Sequence, residues 1–553
     1  MRYFSGDLFQ SERMPAIRLS HLAAACLFCL AWILPGLTGH EPWKPDEAHS
    51  FGLVFSILNH HDWVVPTLAG EPYMDKPPFF YLTAALFAWV LSPLLALHDA
   101  ARLASGFYMG LTFICIGLAG RQLYGRGQGV MSVLLLLGCL GMLVRAHQLI
   151  ADLGLLAGLA LCLYGLTLTR ERPLRAGLLT GTGIGLGFMC RGTLAPTVMM
   201  IICVLLPLLF REWHKRHYAL TLIVMLIAGA PWLLIWPYEL YQRAPALFNE
   251  WLWVQDLGRL IGFAAPDKQA SAFYFLKTLP WFAWPVLPLA LWTLWHQRRK
   301  IFSHAELHLP LTVFIVLYVV LSLDTDTHDL DALPLLLPLA LLATPALATL
   351  PRGATNALDW FGITTFGLLA LTLWLGWIAL ITGHPAGASI WLSEYLPGYS
   401  LPFNFLHLVV ALAFSAGWLA LISRIGRSNR RAVINWAGGI TMVWMLAMTL
   451  WLPWLDVSKN YRWVMTSLQQ SLPAKFQCIS SWRLGETQRS MLEYYDGIIT
   501  QRTELNGKVD CDLLLIQSRG KDQFTLASGW EKIWEGSRPG DKNESYRLYQ
   551  RAR

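Results

Sequence analysis

Two short polar runs beside apolar sequence hold the residue types that could do chemistry. Trp43-Lys44-Pro45-Asp46-Glu47 sets two carboxylates just after a long apolar stretch, and Tyr73-Met74-Asp75-Lys76-Pro77-Pro78 sets an acid and a lysine before two prolines. Asp62-Trp63-Val64-Val65-Pro66 lies between them. Charges next to hydrocarbon are costly unless they are solvated, paired or used. Asp46, at the edge of a low-dielectric region, is placed to act as a base. An acid ahead of helix formers is also the mark of a helix start. Lys76 is held extended by the following prolines. It offers a point charge for a phosphate, or a chain that snorkels to lipid headgroups. Further on, Asp152 opens an apolar run and reads as a site acid or as a partner for the helix dipole. Arg102, Arg191 and Arg259 share the predicted side of these acids, which suits an anionic substrate headgroup or lipid phosphates.

The elements that must position these residues are long apolar segments. Of 553 residues, 55% are hydrophobic and only 14% are charged, which is too little polar cover for a water-soluble fold. The mean hydropathy is +0.44. Apolar runs such as His21–Leu37, Met131–Val144, Leu153–Leu168, Leu220–Trp236, Ile363–Ile381 and Ala432–Leu452 approach the length that spans about 30 Å of hydrocarbon. They are continuous rather than alternating, which excludes a transmembrane barrel. The 26 tryptophans suit a chain with many membrane interfaces. A net charge of +8 would suit nucleic acid, but the basic residues come in short clusters between apolar runs, which is the pattern of cytoplasmic loops.

Those clusters set the sidedness. Arg121 to Arg126, Arg170 to Arg175, Arg211 to His217, Gln297 to Lys300 and Arg424 to Arg431 are placed in the cytoplasm, with Arg2, Arg13 and Arg18. Two spans fit between consecutive clusters, and four fit between Lys300 and Arg424. Three apolar stretches lie between Arg18 and Arg121, so parity requires that one does not cross. Pro78–Leu97, with prolines at both ends and an aromatic start, reads as an interfacial or re-entrant helix; the alternative is an ordinary span with a local violation of the basic-loop rule. The expected architecture is an all-α polytopic domain of about 13 spans over residues 1–455, with outer loops at 39–101 and 238–272. The tail, 456–553, is charged and has short apolar runs at Cys478–Trp482, Ile498–Ile499 and Leu513–Ile516. With a helical pattern over Tyr461–Leu472, it reads as a small extracytoplasmic α/β domain.

Seven of the nine cysteines lie in apolar segments as small buried side chains. Cys478 and Cys511 lie in the tail, as a disulfide in an oxidising compartment or as two thiols. Gly181-Thr182-Gly183-Ile184-Gly185-Leu186-Gly187 lies inside an apolar run with no strand before it, so it reads as close helix packing and not as a dinucleotide loop.

Taken together, Pro45-Asp46-Glu47, Asp62-Trp63-Val64-Val65-Pro66 and Asp75-Lys76-Pro77-Pro78 resemble the first outer loop of GT-C fold membrane glycosyltransferases. The similar group is that of the lipid A aminoarabinose transferases and their protein mannosyltransferase-like relatives. The resemblance continues through Arg102, Asp152, Met189-Cys190-Arg191-Gly192, Phe248-Asn249-Glu250 to Arg259, and Leu279-Pro280-Trp281. It implies an enzyme of the bacterial inner membrane that takes a sugar from a polyprenyl (undecaprenyl) phosphate. The acceptor would be lipid A, a glycan or a protein on the periplasmic face, and the transfer usually inverts the sugar. It implies that Asp46 engages or deprotonates the acceptor, with Glu47 beside it, and that Asp152 is the second acid of the site. Lys76, Arg191 and Arg259 would hold the donor phosphate, with Asp75 and Arg102 among the substrate-binding residues. It names no certain cofactor and leaves a divalent metal open; membrane lipids are the remaining partners, and nucleic acid is not one. A transporter or flippase, or a ligase of lipid-linked glycans, is the alternative. A transporter should show paired repeats and broken helices at mid-membrane. Departures from the family pattern fall at His49-Ser50-Phe51-Gly52, at Arg191 where lysine is frequent, at Asp256 where a histidine is frequent, and at the acidic stretch from Asp324 to Asp331.

Overall fold

The fold is that of a computed structural model, which describes residues 19–260, 273–299, 301–324, 327–426, 428–506, 511–519, 529–541 and 543–551. Among the described residues seven helices are long and apolar enough to cross a membrane, and five shorter apolar helices accompany them. The protein is a multi-pass helical membrane protein with a small C-terminal sheet domain. Four of the seven lie between Lys300 and the basic stretch that begins at Arg424: Ala305–Ser322, Asp329–Thr349, Arg352–Thr382 and Phe405–Arg424.

The first part of the chain builds the end of the bundle that carries the candidate residues. α1 (Leu19–Ile33) leads into α2 (Asp46–His60), a short hairpin of β1 (Thr67–Leu68) and β2 (Glu71–Pro72), and then α3 (Phe79–Leu91) and α4 (Leu97–Tyr124). α3 has 13 residues and so rises only about 20 Å, short of the hydrocarbon thickness. The run Met131–Val144 divides into α5 (Gln128–Leu137) and α6 (Leu140–Arg145), because the Gly138 carbonyl accepts from the Trp436 indole at 2.8 Å and Leu140 N donates to the Trp284 carbonyl at 3.2 Å. Backbone groups used outside the helix end it there.

α7 (Asp152–Thr167) and α8 (Pro173–Arg191) form an antiparallel hairpin around the basic turn Arg170–Arg175, so the start of α7 and the end of α8 share one end of the bundle. The glycine-rich run makes this packing close. A methyl group at Gly183 would come within 2.6 Å of the Gly158 carbonyl on α7. Gly181 faces the other way, toward the backbone of α10 (Arg216–Arg243), with α9 (Leu194–Leu209) between α8 and α10 in the chain. Hydrocarbon tails are as apolar as leucine, so small residues that let backbones approach supply the van der Waals contact that holds such helices.

The tail begins with two short helices, Leu452–Lys459 and Arg462–Gln470, and then a five-stranded sheet. β3 (Ile479–Trp482) lies between β4 (Gln501–Arg502) and β5 (Leu513–Arg519), parallel to both. β7 (Glu544–Arg551) pairs antiparallel with β5 and with β6 (Trp530–Gly536). Two expected apolar runs are β3 and the start of β5; the run Ile498–Ile499 instead precedes its strand by two residues. Cys478 and Cys511 are joined by a disulfide ahead of those two paired strands.

Candidate active site

The first polar run is a cap over the bundle, and most of its charge is neutralised inside the protein. Asp46 is the first residue of α2, with Pro45 as N-cap; its side chain makes no capping bond. It accepts instead from Arg145 at 3.2 Å, and Arg145 is steadied by Gln148 at 3.1 Å. Glu47, one residue on, points inward and is fully buried. It pairs with Arg102 Nε and accepts from Trp43 N at 3.0 Å. Burial raises the proton affinity of Glu47, but the Arg102 charge and His40 more than offset this and hold its carboxyl below the usual range. Arg102 gives its remaining donors to Asp99 at 2.7 Å and to the carbonyls of Leu37 and His40, both at 3.1 Å. Both residues, expected at the site from sequence, are turned to the protein and bind the loop to α4.

The second run meets the α7–α8 end. Lys76 Nζ lies 3.3 Å from Asp152 Oδ2, and Arg191 Nε lies 3.2 Å from Asp152 Oδ1. Asp152 is buried, so the two cations clamp a carboxylate fixed at a helix start, where the helix dipole also favours it. Arg191 reaches on to Asp331 at 2.7 Å, and Asp331 in turn accepts from His328 N at 2.8 Å in the capping box of the turn Asp329–Ala332. Gly192 ends α8 at φ +78°, and a methyl group there would come within 2.5 Å of Asp256 Oδ1. That close approach lets Asp256, the last residue of a π-helical turn, accept from Thr193 N at 2.9 Å and from Thr193 Oγ at 3.0 Å. Burial pushes the Asp256 carboxyl up to about 6, with the Thr193 hydrogen bonds and Arg191 opposing the shift.

Lys76, Arg191, Asp256 and Asp331 line an open cleft with Asp75, Gln255 and Asp324, and Asp152 lies behind the two cations. Asp75 accepts from Tyr73 at 3.3 Å. His49, one turn along α2 from Asp46, lies close enough to Lys76 and Asp75 to feel both, while Asp46 itself is not among the lining residues. Burial pushes the His49 imidazole down to about 4, Lys76 adds to the shift and Asp75 opposes it, so the ring is neutral at physiological pH. Arg259 lies on the short helix Leu257–Leu260, and its side chain is outside the described residues. Asp331, Asp256, Arg145 and His49 were not singled out as site residues from sequence. The signals available were the acidic stretch from Asp324 to Asp331 in an outward loop and the departures at His49 and Asp256. Among the described residues, no group of three or more His, Cys, Asp or Glu side chains is placed to hold a metal ion.

Comparison with known proteins follows the same architecture. Residues 75–236 match a family profile described as dolichyl-phosphate-mannose-protein mannosyltransferase. An undecaprenyl phosphate-alpha-4-amino-4-deoxy-L-arabinose arabinosyl transferase of Yersinia enterocolitica is 26% identical over 444 residues, which is 78% of this chain and 76% of that protein. The protein of the same description from Pseudomonas aeruginosa strain UCBPP-PA14 is 28% identical over 442 residues, 76% of this chain and 74% of its own length. The crystal structure of ArnT from Cupriavidus metallidurans bound to undecaprenyl phosphate superposes with a TM-score of 0.67 at 17% identity, covering 96% of this chain and 98% of that one. This chain is a GT-C membrane glycosyltransferase. In this glycosyltransferase the cleft sits where the loop carrying Asp75 and Lys76, the end of α8, and Asp324 and Asp331 converge. The transferase's tail is docked on the same loop: Glu71 pairs with Arg489 at 2.8 Å and Arg502 at 3.1 Å, Glu41 with Arg462 at 2.6 Å, and Lys44 with Asp541 at 3.0 Å.

Proposed function

We propose that the enzyme moves a sugar from an undecaprenyl phosphate donor to lipid A or another envelope glycan on the periplasmic face of the bacterial inner membrane. The observation that carries this reading is that Lys76 and Arg191, both paired with Asp152, line an open cleft. A donor phosphodiester entering that cleft meets two cations already held in place. As the bond from the sugar's anomeric carbon to the phosphate oxygen breaks, negative charge grows on that oxygen. Cations fixed in advance stabilise it without reorganisation at the moment of reaction. The acceptor oxygen attacks the opposite face of the same carbon, and its proton goes to Asp46, which inverts the centre. Arg145 orients the Asp46 carboxylate from behind. The polyprenyl tail stays in the lipid throughout.

The cleft lining has more acid than base, with Asp75, Asp256, Asp324 and Asp331 against Lys76 and Arg191. That balance fits a donor whose sugar carries an ammonium group next to its phosphate, as the arabinosyl group named for the relatives does. The test is transfer in proteoliposomes holding lipid A, with undecaprenyl phosphate-linked 4-amino-arabinose or with an undecaprenyl phosphate-linked neutral hexose. The amino sugar should be transferred at least about tenfold faster, since loss of one buried charge pair costs more than about 1.4 kcal/mol. Asp46→Asn should abolish transfer of either while the protein still inserts and folds. Equal rates for the two donors would remove the ammonium reading, and full activity of Asp46→Asn would remove the base.

A further inference from the structure

A second cleft lies at the other end of the bundle. It lies between the ends of α4 and α7, the short turn Arg211–Trp213, the start of α10 and the start of the helix Ala305–Ser322. α7 begins at Asp152 and ends at Thr167, so about 24 Å of helix separates this cleft from the first. It opens among the basic turns, where Arg170, Lys215 and His217 reach it.

Its polar wall has a hydrogen-bonding group without a protein partner. Thr169 is 4% exposed, lines the cleft, and its hydroxyl has no hydrogen-bond partner among the described residues. A buried hydroxyl left unpaired is costly, so such groups mark where a ligand or water sits. Beside it, Arg170 pairs with Glu212. Lys215 is exposed at the rim. Leu166 and Leu309, both buried, form the apolar floor. From the cleft, α10 carries Leu220, Ile223 and Ile227 outward on one face at helical spacing, all exposed.

We propose that this cleft binds the headgroup of an anionic diacyl phospholipid, a phosphodiester that carries free hydroxyls, with its acyl chains lying along α10. The charges select the ester. Arg170, Lys215 and His217 give the cleft a basic wall that suits a phosphate-bearing headgroup, and Glu212 beside Arg170 disfavours the extra negative charge of a monoester. Glu212 and Thr169 accept from headgroup hydroxyls, which a bare phosphate does not supply. The exposed apolar side chains of α10 next to the cleft offer a surface for acyl chains, which a free phosphate would not use. The site is independent of the sugar-transfer cleft.

Native mass spectrometry of the full-length protein, titrated with phosphatidylglycerol, phosphatidylethanolamine and undecaprenyl phosphate in turn, tests it. Phosphatidylglycerol should bind at least about tenfold tighter than phosphatidylethanolamine. Thr169→Val, which keeps the shape, and Lys215→Glu, at an exposed position, should each weaken phosphatidylglycerol by about fivefold or more, while Asp46→Asn binds it as the native protein does. Equal affinity for the two phospholipids, unchanged binding in both variants, or displacement of phosphatidylglycerol by an equal concentration of undecaprenyl phosphate would each overturn the proposal. Because the readout is lipid binding, its failure leaves the sugar-transfer reading untouched.

Discussion

Asp152 joins the two cations of the candidate site. It is buried, it starts α7, and both its oxygens are taken by positive side chains. Asp152→Asn preserves the shape and removes the charge, leaving Lys76 and Arg191 to repel each other in a low-dielectric place. Transfer should fall by about a hundredfold or more, with the donor KM changed as well as kcat, measured on the purified variant. Asp256 predicts a pH effect. Its folded carboxyl holds a proton up to about 6, above the ordinary value of 3.8. Ionising it therefore costs the fold stability as pH rises from the ordinary value to about 6, and the cost is constant above that. The melting temperature of the native protein should drop relative to Asp256→Asn as pH is raised across that window. A parallel pair of curves would show that Asp256 is not the titrating group. Asp46, Asp75, Lys76, Asp152 and Arg191 stood out as candidates by residue type and spacing, because charge beside hydrocarbon is expensive and rare. Glu47 and Arg102 show the limit of that rule: the same expense is met by pairing the two with each other inside the protein.

At the scale of elements, α2 is held between the bundle and the tail. The helix Glu486–Asp496 packs across it, and Gly52 is the contact that permits this. A methyl group on Gly52 would come within 2.5 Å of Ser490 Cβ and 2.9 Å of Leu68. Gly52→Ala should loosen the tail from α2, seen as faster proteolysis of the tail and reduced transfer, and Ser490→Gly in the same protein should restore part of both. If Gly52→Ala resists protease as the native protein does, the docking contact is elsewhere. Helices with strong apolar runs were visible in the sequence, since a membrane span must satisfy its own backbone. The break between α5 and α6 was not, because the indole that takes the Gly138 carbonyl comes from residue 436. No window of local sequence contains that partner.

For the whole molecule, the sheet domain acts as a brace on the loop that carries Asp46. Glu41, Lys44 and Glu71 of the loop are all paired to tail residues. The disulfide Cys478–Cys511 closes a 33-residue separation within that brace. Cross-linking a loop of this length is worth about 3–4 kcal/mol in the chain-entropy account. A Cys478→Ser, Cys511→Ser double variant should unfold its tail at lower denaturant concentration and lose transfer in step with it, while the apolar helices keep their circular dichroism. Full transfer with an unfolded tail would show that the brace is dispensable.

Class could be argued from the chain alone. Apolar run length, basic clusters and acidic loops are local properties that a bilayer sorts by simple solvation. So were the residue types of the site, and, through the resemblance they carry, the kind of reaction. Assignment of partners needed the folded protein. Whether Glu47 faces substrate or Arg102, whether Asp331 answers Arg191, and how the tail meets the first loop depend on residues from 55 to 497 positions apart. Electrostatic energy falls with distance in space and not along the chain, so pairings of that separation are decided only when the helices pack.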